Sequence, residues 1–218
     1  MLRRIREPKP SRTSSEIHVF VHARIKAPLA LFAALAAACS HDTAAAPALS
    51  TAPRAELMVY AAASTRDALQ ALEADYERAH AVDLVFNFGS SGDLAKQIIA
   101  AAKADVFLSA GVKELDQVDA AQLVEPGTRK DLLSNQLVVV EPADAPSAFT
   151  QPFTAAQLGG AHVRQLSLAN VETVPAGRYA KAWLEKAGVW KSVEARVLPG
   201  IDVRAALAAV ESAGAQAG

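Results

Sequence analysis

Cysteine is nearly absent: the 218 residues contain one, Cys39. A single thiol excludes an internal disulfide framework and a thiolate metal cluster. Aromatic residues make up only 6% of the chain, which, with alanine abundant, favours helix-rich packing over an all-β core. Neither sign of charge is in surplus, since 22 Lys and Arg face 23 Asp and Glu for a net charge of −1. There is therefore no electrostatic case for binding nucleic acid or another polyanion. Histidine is scarce in the part expected to fold, where only His80 and His162 occur, and His80 ends a predicted helix, where the dipole favours it. No Gly-x-Ser-x-Gly elbow, Walker loop, Gly-x-Gly-x-x-Gly or metal-spaced His/Glu pair is present. A nucleophilic hydrolase would need a base beside its serine, so the chain is expected not to be an enzyme. What is present is ordinary for a folded protein: 51% apolar and 21% charged residues, enough for one large or two small domains.

The first fifty residues follow a different pattern. Arg24 and Lys26 precede an uncharged, alanine- and leucine-rich run from Ala27 to Ala38, and Cys39 follows. The run is too short to span a bilayer and reads as an export signal. Ala37 and Ala38 before Cys39 resemble a lipoprotein cleavage site, with Ala36 where leucine is usual. A lipid anchor through Cys39 in the periplasm is expected; cleavage at Ala44 to Ala46 would instead release a free periplasmic protein. The basic leader before His22 is long for a signal, which suggests a translation start near Val19 or Val21. Residues 39–55, rich in alanine, proline and serine, read as a tether.

The central stretch is Phe86 to Ile99, Phe-Asn-Phe-Gly-Ser-Ser-Gly-Asp-Leu-Ala-Lys-Gln-Ile-Ile. A β-prone run stops at Gly89, and a 3.6-residue apolar period starts at Leu94. Such a strand, turn and helix start offers backbone N–H groups and hydroxyls to an anion. A second copy lies upstream, where Leu57 to Tyr60 and Ala61-Ala62-Ala63-Ser64-Thr65 lead into a helix with Ala68, Leu69, Leu72, Tyr76 and Ala79 on one face. Ser64 and Ser91, each taken singly, could simply cap helices. Two such turns at one edge of a parallel sheet would place a ligand at the carboxyl ends of its strands.

Further strands are predicted at Asp83 to Phe88, Asp105 to Ser109, Gln136 to Glu141 (buried on both faces), Gln165 to Ala169 and Ala195 to Leu198. Helices are predicted at Thr65 to His80, Asp93 to Ala102, Val112 to Ala120, Thr154 to Leu158, Pro175 to Ala187 and Asp202 to Ser212. The stretch with Pro142, Pro146 and Pro152 reads as a loop and a passage between lobes. Ala176 and Val203 both sit at helix starts that follow strands. Tyr179 and Trp183 read as a packed helix face, Arg204 as the partner of Asp202 or a solvated side chain, and Asp105 as a turn-bonding or capping residue.

These stretches, with Val174-Pro175-Ala176-Gly177-Arg178-Tyr179-Ala180-Lys181 and Asp202-Val203-Arg204-Ala205-Ala206-Leu207, resemble the periplasmic molybdate-binding proteins of ABC importers. The resemblance implies a two-lobed α/β fold of the type II binding-protein kind, each lobe a mostly parallel sheet flanked by helices. Lobe I would cover residues 56–137 and an incomplete lobe II residues 138–218, with residues 1–38 as leader and export signal. It implies a monomer that binds molybdate or tungstate without a cofactor and delivers it to a permease in the inner membrane. The ligand residues carried over are Ser64, Ser91, Ala176 and Val203. The family's ligating tyrosine and its returning C-terminal segment would fall beyond Gly218. A truncated, frameshifted or fragmentary copy with one passage between lobes and uncovered apolar faces is therefore expected. Other readings are a sulfate or phosphate binder with Asp93 as acceptor, a non-binding relic, and the effector domain of a regulator. The export signal and the lack of a DNA-binding helix pair argue against the last.

Overall fold

The computed structural model describes residues 2–5, 15–21, 54–144 and 146–218, the first two segments as backbone. The expected apolar run, cleavage site, Cys39 and most of the tether lie outside the described residues. The strands are β1 (Leu2–Ile5), β2 (Ser15–Val21), β3 (Ala55–Ala62), β4 (Val82–Gly89), β5 (Val106–Ser109), β6 (Arg129–Asn135), β7 (Val139–Pro142), β8 (Leu166–Ala169) and β9 (Val197–Gly200). The helices are α1 (Arg66–His80), α2 (Ser91–Ala101), α3 (Val112–Ala120), α4 (Pro175–Lys186), α5 (Trp190–Val193) and α6 (Val203–Glu211).

Lobe I is built on a sheet of order β4-β3-β5-β2-β6. β3 runs parallel to β4 and β5, and its end at Ala62 lies level with Gly89 of β4. The two serine-bearing turns thus open at one sheet edge, as their sequence predicts. Leu94, Ala95 and Ile98 of α2 and Leu115 and Val118 of α3 pack on Tyr60 and Phe107. Burial of each leucine, isoleucine or valine side chain among them contributes about 1.5–3 kcal/mol.

In lobe II, β8 and β9 are parallel, and β7 pairs antiparallel with β1. Residues 216–218 lie between β7 and β8: Gly218 exchanges backbone hydrogen bonds with Val140, and Ser167 N–H donates to Ala217 O. Phe149, Phe153, Leu158, Val163, Leu184 and Trp190 form the core against α4 and α5. Ala206 of α6 packs with Ala169 and Val174.

Several expectations change. Ser15–Val21, assigned to the leader, is a strand antiparallel to both β5 and β6; its alternating Ile17, Val19 and Val21 suit a pleated strand. β1 joins the sheet of lobe II and β2 that of lobe I, so the chain passes between lobes there as well as at residues 136–138, not once. The proline-bearing stretch after Pro142 belongs to lobe II and is not the passage. Leu137 and Val138 are exposed, so the apolar run 136–141 is a connection followed by a short strand, not a strand buried on both faces. β6 escapes the sequence because Arg-Lys-Asp-Leu-Leu-Ser-Asn lacks an apolar alternation, with Leu132 and Leu133 both exposed. Ala155–Gly159 and Glu194–Arg196 are 3-10 turns. α1 buries no residue fully, and Leu72 and Tyr76 on its apolar face are exposed; Leu69 packs on the cluster of Val59, Ala61 and Leu108 in β3 and β5.

Candidate functional site

The sequence has three short strands ending in small or hydroxylated residues, and the sheet register brings these ends level. Ala62, Ala63 and Ser64 at the end of β3, Gly89, Ser90 and Ser91 at the end of β4, and Ala110 after β5 form one wall of a cleft. The opposite wall is Val174, Pro175, Ala176 and Tyr179 at the start of α4 with Asp202 and Val203 at the start of α6. Asn135 at the end of β6, with Gln136 and Leu137 after it, completes the lining. The cavity measures ≈ 70 Å³, several times the roughly 10–15 Å³ that one water occupies on the same measure.

Each wall is made by helix starts. Pro175 occupies the first turn of α4, where its missing N–H costs nothing, and Gly177 lets the helix approach β8 so closely that a Cβ there would lie 2.1 Å from Ala169 O. Asp202 caps α6 by accepting from Ala205 N–H at 2.9 Å. The first N–H groups of a helix have no partner within it, and Ala176 and Val203 carry such groups at the cleft. In lobe I the cap of α2 is Ser90, not Ser91: Ser90 Oγ accepts from Asp93 N–H at 3.1 Å and donates to Asp93 Oδ2 at 2.7 Å. Ser91, buried to 1% exposure, accepts from Ala110 N–H at 3.0 Å and keeps its own proton for another acceptor. Ser64 is exposed and makes no cap. Capping therefore accounts for neither serine.

All four expected residues, Ser64, Ser91, Ala176 and Val203, line this one cleft. Among the described residues its lining includes no lysine or arginine and a single carboxylate, the capping Asp202. Asp93 lies outside the lining, its carboxylate held by Ser90 and Lys96. Asp105 bonds β3, accepting from Met58 N–H at 2.8 Å. Arg204 corrects the sequence reading: its partner is Asp67 of lobe I, 2.5 Å away, and not Asp202. Tyr179 also departs from expectation. Trp183 packs on the core of lobe II, whereas Tyr179, one turn beyond Ala176, faces the cleft. Burial, then the charge of Glu114, raises the Tyr179 hydroxyl above the ordinary tyrosine value, with Arg178 opposing. It stays a protonated donor at neutral pH. The helical spacing from Ala176 could have flagged it; Asn135 and Gln136 gave no comparable signal.

The description "Bacterial extracellular solute-binding protein" matches residues 57–218. The chain belongs to that family. Its members are solute-binding proteins, which accords with the absence of catalytic motifs in the sequence. The chain is 40% identical over 161 residues to the molybdate-binding protein ModA of Escherichia coli K12, covering 72% of this chain and 61% of that one. It is 38% identical over 170 residues to ModA of Haemophilus influenzae, covering 78% and 67%. Against the putative ABC transporter substrate-binding lipoprotein YvgL of Bacillus subtilis it is 35% identical over 164 residues, covering 74% and 61%. The chain thus spans about three fifths to two thirds of the length of these relatives. Among solved structures, the substrate-binding domain of a putative molybdenum ABC transporter from Clostridium difficile aligns with a TM-score of 0.53 at 33% identity, covering 75% of this chain and 70% of that one. The Azotobacter vinelandii periplasmic molybdate-binding protein aligns at 0.62 and 23% identity, covering 74% and 69%, and shares the type II fold.

Proposed function

We propose that this chain captures a tetrahedral oxyanion, molybdate or tungstate, between its lobes and delivers it to the permease of an ABC importer. The observation that carries the reading is the convergence of four strand-to-helix junctions, two from each lobe, on one small cleft lined mainly by neutral groups. Ser64 and Ser91 would donate their hydroxyls, and Ala176 and Val203 their backbone N–H groups. Helix starts can hold an oxyanion without a counter-charge, which leaves release possible. Fully ionised oxyanions only accept hydrogen bonds, so they suit such a site. Hydrogen phosphate needs an acceptor, and the engagement of Asp93 and Asp202 in caps disfavours it. The names of the relatives support the same ligand. Lobe closure over the anion, recognised by the permease, is the mechanism. The chain works as a monomer, without a cofactor.

Isothermal titration of the full chain with molybdate, tungstate, sulfate and phosphate tests this reading. Saturable binding of molybdate and tungstate, with sulfate and phosphate weaker, is expected. Phosphate bound best, or no heat from any of the four, would overturn it. We also propose that Cys39 carries a lipid anchor in the periplasm. Labelled palmitate should enter the wild type and not the Cys39→Ala variant; a soluble protein whose first residue follows Ala46 would contradict this.

A further inference from the structure

The two lobes meet beside the cleft through a buried ion pair. Glu114 of α3 is 2% exposed, and its Oε1 lies 2.6 Å from Arg178 Nη2 of α4, a side chain 20% exposed. Its other oxygen, Oε2, is buried without a hydrogen-bond partner among the described residues. The seam around it is tight: a Cβ on Gly111 would lie 2.3 Å from Glu114 Oε2 and 3.0 Å from Pro175. Likewise, a Cβ on Gly92 would lie 2.2 Å from Thr173 O across the same seam. In the sequence of α4, Arg178 stands between Ala176 and Tyr179, both of which line the cleft.

A carboxylate at this depth is tolerated only while the guanidinium is in place. A closed register that buried Glu114 away from Arg178 would leave the carboxylate unpaired, so such a pair acts by penalising wrong closures more than by strengthening the right one. We propose that Glu114 and Arg178 are positioning residues that select this closed register, aligning Ala176 and Tyr179 with the cleft and thereby setting its affinity for the oxyanion. The affinity part rests on the function proposed above; the register part does not.

The test uses Glu114→Gln, Arg178→Met and the double variant Glu114→Leu/Arg178→Met in the full chain. Three readouts are taken: molybdate affinity and dissociation rate, melting temperature, and the radius of gyration from small-angle scattering without ligand. Each single variant should bind about tenfold more weakly, through faster dissociation, and scatter as a more open particle. The double variant should recover most of the affinity, because apolar groups remove the penalty on both sides. Glu114→Gln binding as tightly as wild type or tighter would overturn the proposal, showing that the carboxylate acts only as a like charge near the anion. Altered melting temperature with unchanged affinity and scattering would also overturn it, marking a structural role. If wild type binds no oxyanion, the function proposed above fails, while the unliganded scattering still decides whether the pair selects the closed register.

Discussion

In the proposed site lobe I offers side-chain hydroxyls to the oxyanion, and lobe II offers chiefly backbone N–H groups. On the first side the expected donors are the hydroxyls of Ser64 and Ser91, projected from turns after β3 and β4. On the second, the residues at the helix starts are Ala176 and Val203, whose side chains offer nothing to an anion, so only their N–H groups count. The two walls should therefore respond differently to mutation. Side-chain identity matters on one, and the presence of an N–H matters on the other.

Among the side-chain substitutions, the largest combined effect on binding and stability is expected at Ser91. Ser91→Ala removes a hydroxyl from the cleft and leaves Ala110 N–H without its acceptor. It should weaken molybdate binding by about tenfold or more and cost about 1–3 kcal/mol of stability, read by titration and by urea unfolding. Ser64→Ala sharpens the comparison, since the exposed Ser64 caps nothing. Binding should fall by a similar factor while the melting temperature stays put, and Ala176→Ser on the other wall should change neither.

Tyr179→Phe tests whether lobe II contributes a side chain after all. The folded state raises the Tyr179 hydroxyl above its unfolded value near 10. Its contribution to stability is thus complete below that value and lost as pH rises through the higher folded value. Unfolding curves at rising alkaline pH should fall less steeply for Tyr179→Phe than for wild type. The smallest effect is expected at the exposed cross-lobe pair. Asp67, 72% exposed, faces Arg204, and Asp67→Asn should cost no more than about 0.2–1 kcal/mol, given solvent screening. An effect there as large as that of Glu114→Gln would erase the distinction between the buried and exposed contacts.

Much of lobe I and all four helix starts are legible in the sequence because they are local. Gly89, Ser91 and the period from Leu94 mark one junction, and Pro175 marks another. What is not legible depends on the meeting of distant segments. Arg204 finds Asp67 and Glu114 finds Arg178 only when the lobes come together, and nothing near either residue encodes that. β6 was hidden because its leucines are exposed and lack an alternating pattern. β2 was hidden because its short alternation stands beside residues that read as a leader. In α1 the apolar period marks a helix and the residues that share one side, but not whether that side is buried, and Leu72 and Tyr76 on it are exposed.

The most direct test of the account is Val203→Pro. Val203 is the first residue of α6, and Asp202 before it is extended, with φ −149° and ψ −179°. Proline fits such a position and removes only the N–H. The account predicts molybdate binding about tenfold to a hundredfold weaker at an unchanged melting temperature, with Val203→Ala close to wild type. Wild-type affinity in Val203→Pro would contradict a site built on backbone donors.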